Sequence, residues 1–222
     1  MKNIPVYMGQ GGTASLILSE IPLRGTAYIL LRTVLSGQLE PLLEECAGFC
    51  RSCGARRVLV SREKEPLDLP HAYDLIYLRA KKAALPQPDQ PCPLTPMGPD
   101  NDAVYQRVYN RCFADVSHAL SYDRAQIQRI YRARQQAFLA LDESGAPWAM
   151  GELHGNELAA VGILPEFRGQ GRSRDLTLTL LQLCPGQSLT LTVASDNAPA
   201  LALYDSLGFT VCGRDSSWYE MG

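Results

Sequence analysis

The sequence has no excess of either charge. Twenty-one Lys+Arg stand against 23 Asp+Glu, a formal net charge of −2 over 222 residues. A chain so near neutrality exerts no bulk pull on nucleic acid or on an anionic membrane, so neither is an expected partner. It lacks any run approaching the roughly 20 apolar residues that a membrane helix needs. Its first residues, MKNIPVYMGQGG, contain no apolar core of a secretory signal. Histidine is scarce, and His71, His118 and His154 have no metal-ligand spacing, so no metal is expected. Neither GxxxxGK[ST] nor GxGxxG occurs, which excludes the P-loop and the dinucleotide fingerprint. Seven cysteines are an odd number in a chain too long to need disulfide staples. Reduced thiols in a cytoplasmic protein are the simplest reading.

What is abundant is proline, and it is unevenly placed. Six of the 15 prolines (Pro86, Pro88, Pro91, Pro93, Pro96 and Pro99) fall in one short stretch. Proline fixes φ and removes an amide donor, so this stretch is neither a helix nor an inner strand. It reads as an extended linker over residues 86–99, between an N-terminal α/β domain (1–85) and a second domain (100–222).

In the first part, the apolar runs Ala14–Ile21 and Thr26–Leu35 flank a turn at Pro22–Gly25 and suggest antiparallel strands. Gly9-Gln10-Gly11-Gly12 precedes them as a flexible lead-in. Glu40–Cys53 reads as a helix closed by Gly54, followed by strands at Arg57–Ser61 and Tyr73–Leu78. Cys46, Cys50 and Cys53 have a spacing also found at iron–sulfur clusters. On one face of a helix, however, they pack inward as small apolar residues. Leu42–Ser61 echoes Leu176–Ser195 in pattern, which suggests that the first part is a second, degenerate copy of the same architecture.

The second part alternates helices and strands. Two helices are expected after Asp100 and over about Asp123–Arg134. A hairpin follows at Ala137–Leu141 and Trp148–Leu153, then a doubly covered strand at Leu158–Leu164. A helix at Arg174–Leu183, a strand at Ser188–Ala194 and a helix at Asn197–Leu207 come next. Short strands at Phe209–Cys212 and Trp218–Met221 end the chain. The pattern implies an α/β layered sheet.

The chemistry-bearing stretch is Ile163–Ser173, ILPEFRGQGRS. A strand ends at Pro165, a glycine loop follows, and a helix begins at once. The first amides of a helix lack intrahelical partners and carry partial positive charge. Glycines let the backbone approach a ligand closely. Together these make a phosphate cradle, to which Arg168 and Arg172 can add charge contacts.

Arg168-Gly169-Gln170-Gly171-Arg172-Ser173 resembles the [QR]xxGx[GA] signature of the GNAT family of N-acyltransferases, with Ser173 where Gly or Ala is usual. Asn197-Ala198-Pro199-Ala200-Leu201-Ala202-Leu203-Tyr204, then Leu207-Gly208-Phe209, matches a second signature of that family. The resemblance covers about residues 94–222. It implies a mixed, mostly antiparallel sheet flanked by helices, and acetyl-CoA as co-substrate with an amine as acceptor. It further implies that the amides of Arg168, Gly169, Gln170, Gly171, Arg172 and Ser173 hold the pyrophosphate. The backbone of Ile163 and Leu164 would pair with the pantetheine arm, and Asn197 would contact that arm from the opposite side. Tyr204 would lie near the thioester sulfur, as a proton or hydrogen-bond donor to the leaving thiolate. The Leu164 amide is the expected oxyanion donor. A base must take the amine's proton: Glu152 is the first candidate, with His154 and Glu157 as alternatives. Acceptor choice would fall to Ala114–Tyr122 and to a last hairpin around Arg214–Trp218. The expected activity is N-acetyl transfer to a primary amine. The alternative class is a non-catalytic acyl-CoA-binding sensor or interaction module. No feature fixes the oligomeric state, and a homodimer is compatible with the sequence.

Overall fold

The computed structural model describes residues 4–63, 65–116, 118–133 and 135–222. Residue contacts divide the chain into two compact units. One runs to Leu75 and takes in Arg214–Gly222, and the other is Ile76–Gly213.

The first unit opens with strands β1 (Val6–Gly9) and β2 (Gly12–Ile17), paired antiparallel from Val6↔Ser15 to Gly9↔Gly12. The GQGG segment is therefore a hairpin turn and not a flexible lead-in. A Cβ on Gly12, at φ 140°, would lie 2.0 Å from the Thr33 carbonyl oxygen, so only glycine fits. A single helical turn, α1 (Ile21–Arg24), ends on Gly25 in the left-handed region. Strand β3 (Thr26–Val34) pairs antiparallel with β2, as its apolar pattern requires. Helix α2 (Leu39–Ser52) then crosses to β4 (Arg57–Arg62), which runs parallel to β3 from Thr26↔Arg57 to Leu30↔Ser61. The buried face of α2 (Leu42, Leu43, Cys46, Ala47 and Cys50) packs on Leu16, Ala27, Ile29, Val58 and Val60. Cys46 and Cys50 are thus core residues, and burial pushes each thiol up to about 11. Among the described residues no group of side chains is arranged to hold a metal ion.

Strand β5 (His71–Lys81) begins in the first unit and ends in the second. The last strand, β11 (Thr210–Glu220), does the reverse. It is one continuous strand, where the sequence suggested two short ones. Its Ser217–Glu220 end pairs antiparallel with β4 and places Tyr219 in the core under α2.

In the second unit the proline-rich stretch contributes β6 (Leu94–Pro96), an edge strand, where proline is tolerated. Helices α3 (Asp102–Cys112) and α4 (Arg124–Arg132) follow. Strands β7 (Gln136–Leu141), β8 (Pro147–His154) and β9 (Glu157–Ile163) form an antiparallel meander. Helix α5 (Ser173–Gln182), strand β10 (Ser188–Ala194) and helix α6 (Ala198–Ser206) complete it. The strand order is β5-β10-β9-β8-β7-β6, antiparallel over β6–β9 and parallel at β9–β10. One face is covered by α3 and α4, over Leu139, Met150 and Ala160. The other carries α5 and α6, over Leu153, Leu158, Leu189, Leu191 and Val193. This is the mixed, antiparallel-dominated sheet between helices that the family resemblance implied.

The segment before β6 is tied to α5. The Asp175 carboxylate accepts from the amides of Asp89 (2.8 Å) and Gln90 (3.2 Å), and Thr179 Oγ1 accepts from the Cys92 amide. Lys82 Nζ donates to the carbonyls of Gln182 (2.8 Å) and Cys184 at the C-terminal end of the helix. Both ends of α5 are thereby fixed.

Candidate active site

Strands β9 and β10 pair at only two positions, Glu157↔Thr190 and Leu158↔Leu191, and then separate. A register shift against β8 occurs at the same point. Glu152 pairs with Ala160 and Leu153 with Leu158, so Ala159 has no partner on β8. A bulge of this kind bends a strand and re-aims its groups. The gap between the diverging strands is a cavity of about 610 Å³.

Its mouth is the glycine loop. Gly169 (φ 75°) and Gly171 (φ 76°) are both left-handed, a conformation that costs any residue with a Cβ. Helix α5 starts at Ser173, and its N-cap, Arg172, makes no side-chain cap bond. The first-turn amides are therefore left for a ligand. One turn in, Thr177 is fully buried and lines the cavity, and its hydroxyl has no hydrogen-bond partner among the described residues. An orphaned buried hydroxyl facing a cavity above free helix amides fits a polar, anionic guest.

The six loop residues Arg168–Ser173 all line this cavity, as do Ile163, Asn197 and Tyr204. Two expectations need correction. The Arg168 guanidinium is not available to phosphate. It donates to both Asp115 oxygens (2.7 and 3.2 Å) and to the carbonyls of Cys112 and Ile163, clamping the end of α3 to the loop. The Leu164 amide is not a free oxyanion donor. It donates to the Trp148 carbonyl at 3.0 Å, and the Leu164 carbonyl accepts from Phe167 N. The Arg172 guanidinium lies 5.2 Å above the Trp148 ring. Asn197 caps α6, its side-chain oxygen accepting from the Ala200 amide.

Tyr204 is 8% exposed, and its ring lies 5.9 Å from that of Phe209. No hydrogen bond engages its hydroxyl among the described residues, and burial pushes its pKa up to about 12. It stays a neutral donor across the working pH range. Sequence reasoning missed Thr177, Cys112 and Phe113. It reached His118 only as a member of the expected acceptor loop, and His118 lines the cavity.

The three carboxylate and imidazole candidates are placed very differently. Glu152 is 1% exposed and outside the cavity lining. Its oxygens accept from Tyr105 Oη (2.6 Å) and Tyr122 Oη (3.0 Å). Burial raises its pKa, overriding the opposite pull of the two phenols. The Tyr122 ring is stacked on Tyr109 at 3.5 Å, and the two phenols facing Glu152 are pushed well above their ordinary range. His154 is exposed at the β8–β9 turn. Glu157 sits on the first of the two β9–β10 pairs, one residue before the strands part. The expected final hairpin at Arg214–Trp218 is instead part of β11 and belongs to the first unit.

Residues 103–209 match the model of the Acetyltransferase (GNAT) family. Among curated proteins, N-alpha-acetyltransferase RimI of Mycobacterium tuberculosis is 37% identical over 65 residues, 29% of this chain and 41% of that protein. Peptidyl-lysine N-acetyltransferase YjaB of Salmonella typhimurium is 28% identical over 112 residues, 50% of this chain and 76% of that one. The alignment thus spans less than half of the mycobacterial relative. Among solved structures, a GCN5-related N-acetyltransferase from Anabaena variabilis superposes with a TM-score of 0.61 at 12% identity, over 88% of this chain and 54% of that one. A conserved protein of unknown function from Staphylococcus epidermidis gives 0.59 at 14% identity, over 99% and 94%. At such identities the structures speak to the fold.

Proposed function

Residues 103–209 are a GNAT-family acetyltransferase domain, and from that premise we propose that the chain transfers an acetyl group from acetyl-CoA to a primary amine by direct attack on the thioester. The observation that carries the reading is the splayed β9–β10 pair, with free helix amides at its mouth and Tyr204 in its wall. The amides of the Arg168–Ser173 loop hold the pyrophosphate, and Thr177 Oγ1 supplies a further polar contact. Ile163 pairs with the pantetheine arm, and Asn197 borders it from α6. Leu164 acts only as buried support.

The amine nitrogen attacks the acetyl carbonyl carbon, and the carbon–sulfur bond breaks. The oxyanion is met by a backbone amide at the Ala159 bulge. Tyr204 donates a hydrogen bond to the departing thiolate, which then takes its proton from solvent. A thiol's ordinary pKa of roughly 8.5 lies below a phenol's, so this donation is needed at the transition state and not afterwards. The amine's proton goes to a carboxylate. Glu152 is sealed behind two phenols, so an amine reaches it only by way of Tyr122. Glu157 is half-buried, has no phenol sealing it and stands on the first of the two β9–β10 pairs, and we assign the base to it, with Glu152 holding Tyr105 and Tyr122 in place.

The test is calorimetric titration with acetyl-CoA and with free coenzyme A, followed by thiol-release assays over a panel of amines. Saturable binding with amine-dependent thiol release is the expected result. Binding without turnover on any amine identifies a sensor module instead. No binding to folded protein removes the reading altogether.

A further inference from the structure

We infer that the amine acceptor carries its own anionic group, several bonds away from the amine, and that Arg79 selects for it; this rests on the acetyltransferase reading above. A second depression, of about 350 Å³, is lined by Tyr77, Arg79, Glu157, Thr190–Thr192 and Cys212. Its place follows from side-chain alternation. Leu78, Ala80, Leu158, Leu189, Leu191 and Val193 all point into the core under α5 and α6. Arg79, Glu157, Thr190 and Thr192 alternate with them, so they face the opposite side of the sheet. The depression also reaches the last β9–β10 pair, because Leu191, which lines it, pairs with Leu158 just before the strands part. A thioester arm that enters at the glycine loop and runs inward between the strands finishes beside this trough.

The trough carries two charged side chains of opposite sign. Strand β10 lies between β5 and β9, so Arg79 and Glu157 stand on strands whose backbones are roughly 10 Å apart. They form no ion pair with each other, and neither has an ion-pair partner among the described residues. Between them are two threonine hydroxyls. A neutral amine would satisfy Glu157 and leave the guanidinium idle. A ligand with an ammonium at one end and a carboxylate at the other satisfies both. The strand spacing excludes an α-amino acid as the best fit and favours an ω-amino acid, with the amine delivered to Glu157 and the carboxylate to Arg79. A guanidinium offers a planar fork that suits a carboxylate in particular.

The experiment compares 5-aminopentanoate with pentylamine, which differ in the distal carboxylate, in a thiol-release assay with acetyl-CoA. The expected result is a kcat/KM for 5-aminopentanoate higher on the order of tenfold, expressed in KM. In Arg79→Gln that ratio falls to about one, and Arg79→Lys restores part of it. Equal use of the two amines overturns the inference, as does a preference that survives in Arg79→Gln. If acetyl-CoA binds but neither amine is acetylated, the inference falls while the cofactor reading stands. If acetyl-CoA does not bind, the reading falls. Direct titration of 5-aminopentanoate into the free protein then decides the trough on its own. Saturable binding that is lost in Arg79→Gln upholds it, and no binding overturns it.

Discussion

Each unit of this protein contains a parallel strand–helix–strand segment, and the cavity described above opens in the second. In the first unit, β3 and β4 are zipped through five successive pairs, with α2 laid over them. The connection from β3 into α2 is the four-residue Leu35–Gln38. In the second unit, β9 and β10 hold together at two pairs and then open. The connection into α5 is longer, bends through two left-handed glycines and leaves helix amides uncapped. The difference teaches that the site does not come from the strand–helix–strand arrangement itself. It comes from a bulge that stops the zipper and a loop that leaves its amides unspent.

The strongest way to break this contrast is to substitute matched glycines. Gly171 (φ 76°) and Gly37 (φ 71°) are both left-handed, and neither has an atom within 4 Å of an added Cβ. Valine at either position should cost about 1–3 kcal/mol in urea unfolding. Only Gly171→Val should abolish acetyl-CoA binding by calorimetry, weakening it by more than ~100-fold. Equal loss in Gly37→Val would show that the loop is not special. Next in size is Tyr204→Phe, expected to lower kcat by about 100-fold with little change in cofactor affinity. Its hydroxyl holds nothing in the fold, so the thermal midpoint should barely move. An unchanged kcat would take Tyr204 out of the reaction.

Thr177→Val sharpens the contrast at smaller scale. Removing an orphaned buried hydroxyl should leave the free protein as stable or about 1 kcal/mol more so, yet weaken acetyl-CoA roughly tenfold. A destabilised free protein would mean that the hydroxyl has a structural partner. The smallest effect concerns Glu152, whose pKa burial raises. A carboxyl raised in the folded state contributes stability below its unfolded value and loses it as pH rises through the folded one. Glu152→Gln should therefore gain stability relative to the parent as pH rises above the ordinary carboxyl range, read from urea midpoints across that rise. A constant difference across the rise would show that the group does not titrate on unfolding.

The glycine loop, the helix that opens at Asn197 and the β7–β8 hairpin were legible because each is a local event with its own residue chemistry. Asn197 lies where a cap is needed, and Gly171 where φ must be positive. What escaped was set by distant partners. Arg168 reads as a phosphate ligand until Asp115, 53 residues earlier, is brought against it. Glu152 reads as an open base until Tyr105 and Tyr122 close over it. Strand β1 is only four residues long and follows no apolar run. Strand β11 contains Gly213 and Asp215–Ser217, turn-forming residues carried in one extended strand whose far end, Ser217–Glu220, pairs with β4. The bulge at Ala159 is invisible in sequence because AAV shows no break in apolar pattern.

Strand β11 also sets the order in which the molecule can be assembled. Tyr219 completes the core built on Ala14, Leu16 and Ile29, and Trp218 packs edge-on against Tyr28 at 5.7 Å. During synthesis these early residues wait for partners nearly two hundred positions later, and closing so long a loop is slow. The first unit to emerge from the ribosome is thus the last to be finished, and it spends translation with its apolar sheet incomplete.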